Sequence, residues 1–221
     1  MSITLLIAAA GIPRFFPDVS PRRVARLGLL AMFAGIVSLF MSMDVDASAE
    51  IVTVPLLLAG VWIGALASQL GSVTVSAVPG DESAEVGGLQ NTATNLGASL
   101  GTALAGSLLI AMLTSSFLAG IEQNPAVPAE VAAQANVELA GGIPFISDAD
   151  LEEALAEAGA SAEVAQGVMD ENGQARLDGL RTALAALGLI ALLGLFFSDR
   201  IPTVQPGEAR GRDVPVRRDR Q

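Results

Sequence analysis

The segment Ile51–Val78 runs for 28 residues without a single charged side chain. A helix of about 20 apolar residues crosses the roughly 30 Å hydrocarbon layer of a bilayer. Such a run is therefore long enough to span. Three more stretches share the property. Val24–Met43 carries one charge, Arg26, near its start; Val86–Ile121 carries none; Leu177–Ser198 is free of charge from Thr182 onward until its end. A fifth block, Ser2–Phe16, is interrupted by Pro13 and Arg14, and its clean part, Ile3–Ile12, covers about half a span. A soluble domain with interior helices this apolar needs many polar-faced helices to wrap them, and 221 residues do not supply them. The fold class expected is an all-α integral membrane protein with about five transmembrane helices, over roughly 2–16, 24–43, 51–78, 86–118 and 177–198.

Composition narrows the chemistry. The chain is 52% apolar and 16% charged, with a mean hydropathy of +0.56, against about 25% charged in ordinary soluble domains. That hydrophobicity excludes intrinsic disorder. Absence of Cys and His removes disulfide scaffolding, thiolate metal sites, imidazole ligation and histidine acid–base chemistry. No metal site and no cofactor is expected, and no enzyme: the spans hold no acid–base pair, nucleophile–base set or metal cluster, which also argues against a lipid-modifying enzyme. The net charge of -11 gives no reason to expect nucleic acid as a partner.

The placement of each sign is more informative than the sum. All twelve basic residues are Arg; four of them (Arg14, Arg22, Arg23, Arg26) lie in 13–26 against Asp18 alone, and six lie from Arg200 to the C-terminus. Segments 44–50 and 79–85 carry only acidic residues, and 119–175 carries 11 acidic residues and no basic one. Arg marks the cytoplasmic ends of spans, whereas carboxylates have little topological weight. Five spans that start outside place both Arg-rich regions in the cytoplasm, the acidic segment 119–175 outside, and the tail 201–221 inside. The expected location is the cell membrane, multi-pass, with a cytoplasmic C-terminus. Arg176 and Arg181 fall at the outer end of the last span, where pairing of Asp178 with Arg181 or snorkelling to headgroups would accommodate them.

Within 119–175 the pattern predicts short helices: Ala129–Ala140 after Pro128, Leu151–Ala158 capped by Ser147 with Asp150 and ended by Gly159, and a third from Ser161 to Met169. The expectation for the segment as a whole is an acidic, solvated insertion near the outer membrane face. In the third span, Pro55 is expected to kink the helix.

Candidate functional residues lie within the apolar blocks. In lipid, burying one apolar face on another gains nothing, so small residues and side-chain amides or hydroxyls hold helices together. Gly97, Gly101 and Gly106 put small residues along the fourth span, and Gly60 and Gly64 do so on the third. Asn91 and Asn95 are one turn apart, as are Gln90 and Thr94 on the adjoining face; Gln69 flanks the small stripe of the third span. Amides facing lipid without partners are costly, so these residues are expected to face protein, as packing contacts, or a water-filled substrate path. No acidic residue lies in the middle of a span.

Gly87–Gly106, with its Gly-Gly, Gln, Asn-x-Gly and Ser-Leu-Gly-Thr elements, resembles the penultimate helix of a major facilitator superfamily transporter of the 14-helix drug:proton antiporter type. The small-residue third span and the long outer segment before the last helix fit that resemblance over residues 1–200. Gly11, Asp18, Arg22 and Arg23 look like a degraded copy of the family's cytoplasmic loop motif; the expected Asp-Arg pair followed by Gly-Arg-Arg is missing. The resemblance implies part of the C-terminal bundle, with an N-terminal half lying elsewhere. It also implies proton-coupled export of small amphipathic organic compounds by alternating access. Its implied partners are the lipid bilayer, the substrate and protons, and the missing half. The alternative is a non-transporting membrane scaffold or accessory protein.

Overall fold

The structure is a computed structural model and describes residues 2–15, 19–44, 49–76, 82–139 and 147–201. Among them the chain is all helical: α1 Ser2–Phe15, α2 Pro21–Ser42, α3 Thr53–Ser76 after a 3₁₀ turn at Ala49–Val52, α4 Ser83–Gln123, α5 Ala129–Glu138, α6 Asp148–Glu157 and α7 Ala162–Phe197, closed by a 3₁₀ turn at Ser198–Arg200. Among the described residues, three helices are long and apolar enough to cross a membrane: α2, α4, and α7 with its closing turn. The described apolar part of α3, Glu50–Leu66, is shorter, and α1 has 14 residues. Only 22% of the apolar window of α2, and 17% of those of α4 and α7, is buried. Leu27, Met41, Leu89, Leu100 and Phe196 point outward. Water would not tolerate so much contiguous apolar surface; a bilayer does. The protein is membrane-embedded and α-helical.

The chain forms two compact units, whose limits fall inside α2, α4 and α7. The first comprises the described residues of 1–39, 49–99 and 188–221. Here α1 packs on α3, and Gly64 makes the contact possible. A Cβ at Gly64 would lie 2.5 Å from the Leu5 carbonyl oxygen and 2.7 Å from the Ala8 Cβ. Helix α2 uses two faces. Gly28 lies against Trp62 and Ala65, and Gly35 against Leu58 and the Pro55 carbonyl, so α2 and α3 run antiparallel. Leu29, Phe33 and Ile36, one turn apart on the other face, meet Gly194 and Gly188 of α7, again antiparallel. Pro55 falls in the first turn of α3. Its missing N–H has no intrahelical acceptor there, so it starts the helix and the expected kink has no cause.

The second unit comprises 40–48 and 100–187. Leu113, Phe117 and Ile121, on one stripe of α4, meet Val127, Ala132, Val168 and Ala175 in a closed core, edged by Leu151 and Leu155 of α6. Helix α5 and the start of α7 thus pack against α4 around this core, while α6 has no buried residue. Pro128 precedes α5. The Ser147 hydroxyl oxygen accepts from the Asp150 backbone N–H at 3.2 Å, capping α6. Gly159 follows α6 at φ +70°, a left-handed position that a side chain would strain. Ser161 caps α7 by accepting from the Val164 N–H at 3.3 Å. The helix it starts does not stop at Met169. It runs 36 residues to Phe197, about 54 Å at 1.5 Å per residue. No Pro or left-handed residue interrupts it, so the polar turns and the apolar stretch after them belong to one helix.

The glycine contacts generate a contrast. Gly64→Leu is expected to lower stability by about 1–3 kcal/mol through overpacking. Gly101→Leu, at a position where an added Cβ meets nothing, is expected to change it by about 0.5 kcal/mol or less. Thermal unfolding of the two variants in detergent micelles measures this; equal losses would contradict the α1–α3 contact.

Candidate functional site: an amide-bearing helix and its polar clasps

Helix α4 is 41 residues long, about 60 Å at 1.5 Å per residue, so it is twice as long as the hydrocarbon layer is thick. Its first half carries the expected polar positions. Every residue from Asn91 to Leu100 is exposed, and Gln90 is half-buried. The hydroxyls satisfy themselves on the helix: Thr92 donates to the Gly88 carbonyl at 3.0 Å, Thr94 to that of Gln90 at 2.9 Å, and Ser99 to that of Asn95 at 2.9 Å. Such bonds to the preceding turn leave no need for an outside partner. The amides differ. The side chains of Asn91 and Asn95 make no hydrogen bond among the described residues. Gly97, Gly101 and Gly106 have open space where a Cβ would stand. Among the described residues, this stretch is therefore exposed along its whole length. Its four-residue rows of amide and glycine are available to something outside it.

The other expected positions are placed as follows. Gly60 is buried on α3, and Gly64 is at the α1 contact. Asp18 lies outside the described residues, as does the side chain of Gln69. Arg23 is exposed at the start of α2. Arg22 does not act as a loop residue alone. Its Nε donates to the Ile201 carbonyl at 2.8 Å, and its guanidinium lies 3.9 Å from Asp199. Arg26, one turn on, donates from Nε to Ser198 Oγ at 3.0 Å and from Nη2 to Asp199 Oδ1 at 2.6 Å. Ser198 is 2% exposed and donates in turn to the Leu195 carbonyl at 2.6 Å. The start of α2 is thus clasped to the end of α7, which brings residues from both Arg-rich regions of the sequence to one end of the unit. Sequence spacing carried no signal for this pairing, because its partners are 172 and 173 positions apart.

In the second unit the sequence-level pairing of Asp178 with Arg181 is not made. Asp178 Oδ2 accepts from the Ser116 hydroxyl of α4 at 2.6 Å, and Arg181 donates from Nη2 to the Met43 carbonyl at 2.7 Å. Arg176 pairs with Asp148 at 2.5 Å. The physical reason is the face each residue occupies: a neighbouring helix or chain end offers a better-placed group than the next turn does. Glu171 Oε1 accepts from Asn124 Nδ2 at 2.9 Å, while Asn124 Oδ1 accepts from the Ala126 N–H. Gly179 was not singled out by any sequence pattern, yet a Cβ there would lie 2.9 Å from the Leu109 carbonyl. It is a point of close approach between α4 and α7. No group of three or more acidic side chains suited to a metal ion occurs among the described residues.

Loss of the clasp has a modest expected cost, since Arg26 and Asp199 are 41% and 67% exposed and solvent weakens such pairs. Arg26→Gln is expected to lower stability by about 1 kcal/mol at low salt, and less at high salt. Unfolding midpoints at two ionic strengths check the size and the salt dependence together.

Comparison with protein-family models, with curated proteins and with solved structures finds no match to the chain.

Proposed function

We propose that this chain is part of a secondary active transporter that exports small amphipathic organic compounds in exchange for protons by alternating access. The reading assigns it to the C-terminal bundle of a 14-helix drug:proton antiporter of the major facilitator superfamily. The observation that carries the proposal is the stretch Asn91–Leu100, exposed on every face within a helix that is otherwise apolar enough to span. In hydrocarbon, two unpartnered Asn amides would each carry a desolvation cost. A water-filled path, or a second helix bundle set against Gly97 and Gly101, removes that cost. In this scheme Gln90, Asn91 and Asn95 line or brace the path, with Thr94 and Gln69 beside them.

The antiparallel pairs α2–α3 and α2–α7 support alternate crossings within the first unit, and α4–α7 does so in the second. The clasp supports a shared side for the two Arg-rich regions, which the Arg bias assigns to the cytoplasm. A five-span count, with α1 as the shortest member, and a partner N-terminal half belong to the same proposal.

The absence of Cys makes single-cysteine labelling direct. Asn91→Cys and Asn95→Cys are expected to react with a membrane-impermeant maleimide in intact membranes, whereas Leu193→Cys on α7 is expected to be protected. In dye-efflux assays sensitive to collapse of the proton gradient, Asn95→Leu and Gly101→Leu are expected to lower transport at least tenfold while leaving insertion unchanged. Protection of both Asn positions would exclude a water-filled path beside them and defeat the reading that they line one. Accessible amides with no efflux of any amphipathic dye would favour a membrane scaffold instead.

A further inference from the structure

We propose that the end of the first unit formed by the start of α2 and the end of α7 binds the headgroup of an anionic phospholipid. Four guanidinium groups gather on these two chain segments: Arg22, Arg23 and Arg26 at the start of α2, and Arg200 in the turn after α7. Asp199 is the one carboxylate paired with them among the described residues. Each guanidinium has five N–H donors. Arg22 and Arg26 spend a minority of theirs on Asp199, Ser198 and the Ile201 carbonyl. Arg23 is exposed, and the Arg200 Cζ sits 5.1 Å from the centre of the Phe197 ring. The cluster therefore keeps a surplus of positive charge and of phosphate-matching donors.

The surroundings select a lipid over a free anion. The charges lie at the ends of two helices that are long and apolar enough to span, where headgroup phosphates are found. Phe196 is 76% exposed and packs edge-on to Phe197 at 5.5 Å, an apolar ring pair that acyl chains can cover. Leu27 and Leu30 of α2 and Leu193 of α7 are exposed along the adjoining turns, so an apolar surface for acyl chains begins where the cations end. A soluble phosphate would use the cations and leave this surface unused. Basic clusters beside membrane helices attract anionic lipid, and the attraction adds with each Arg near the surface. The inference depends on membrane embedding alone and stands or falls apart from transport.

The clasp gives the site a distinctive signature. Asp199 competes with the lipid phosphate for Arg22 and Arg26. Its removal should weaken the α2–α7 connection in neutral lipid, yet strengthen the hold on anionic lipid, which then replaces the carboxylate between the two Arg side chains. The full chain is purified and reconstituted into nanodiscs of phosphatidylcholine, alone or mixed with phosphatidylglycerol. Lipid retained after gentle extraction is measured by native mass spectrometry, and unfolding midpoints are recorded in each lipid.

The wild type is expected to retain phosphatidylglycerol preferentially. The double variant Arg23→Gln with Arg200→Gln, whose side chains make no clasp bond, is expected to lose roughly thirtyfold in that preference. Asp199→Asn is expected to unfold earlier than wild type in phosphatidylcholine and to recover in phosphatidylglycerol. Inorganic phosphate added to phosphatidylcholine discs is expected to give no recovery. An unchanged preference in the double variant, or recovery by inorganic phosphate equal to that by phosphatidylglycerol, would overturn the proposal.

Discussion

Helices in hydrocarbon gain little by burying leucine on leucine, because the lipid they leave is as apolar as the partner they meet. Whatever holds such helices together must act at close range. In this protein the close approaches occur at glycine: Gly64 against the Leu5 carbonyl, Gly28 and Gly35 against α3, and Gly179 against the Leu109 carbonyl. Each lets a backbone or side chain of one helix come within contact of another. The rest of the arrangement follows from this constraint, including the outward display of the large apolar residues.

Polar bonds complete what the glycines permit, and they sit where apolar helices end. Arg22 and Arg26 fasten the start of α2 to the end of α7 through Ser198, Asp199 and the Ile201 carbonyl. In the second unit Ser116 binds Asp178, and Arg181 binds the Met43 carbonyl. The same unit also contains a conventional core of Leu113, Phe117, Ile121 and Val168, of the kind that apolar burial stabilises in water. One chain thus uses two adhesion regimes, one suited to lipid and one suited to solvent.

Asn91–Leu100 belongs to neither regime. It has the small and amide residues of a packing surface and, among the described residues, is exposed throughout. A helix built for contact and left uncontacted is the basis of the functional proposal, since hydroxyls can return to their own backbone but the Asn amides do not.

The sequence by itself determined the helical, membrane-embedded class, because uncharged runs of this length have few other stable environments. It also determined the helix starts at Pro128 and Ser147 and the stop at Gly159, since capping and turn chemistry act over three or four residues. It pointed to Gly64 through four-residue spacing. The spacing that picked out Gly64 equally picked out Gly97 and Gly101, which touch nothing, and passed over Gly28 and Gly179, which do. Periodicity says which residues share a face; only the tertiary structure decides which faces meet. For the same reason Asp178 and Arg181, neighbours along one helix, took separate partners, and Arg26 found Asp199 across 173 positions. The continuity of α7 from the acidic segment into the membrane was likewise decided in three dimensions, where the Val168 and Ala175 face packs against α4 and carries the helix past the point where its composition turns polar.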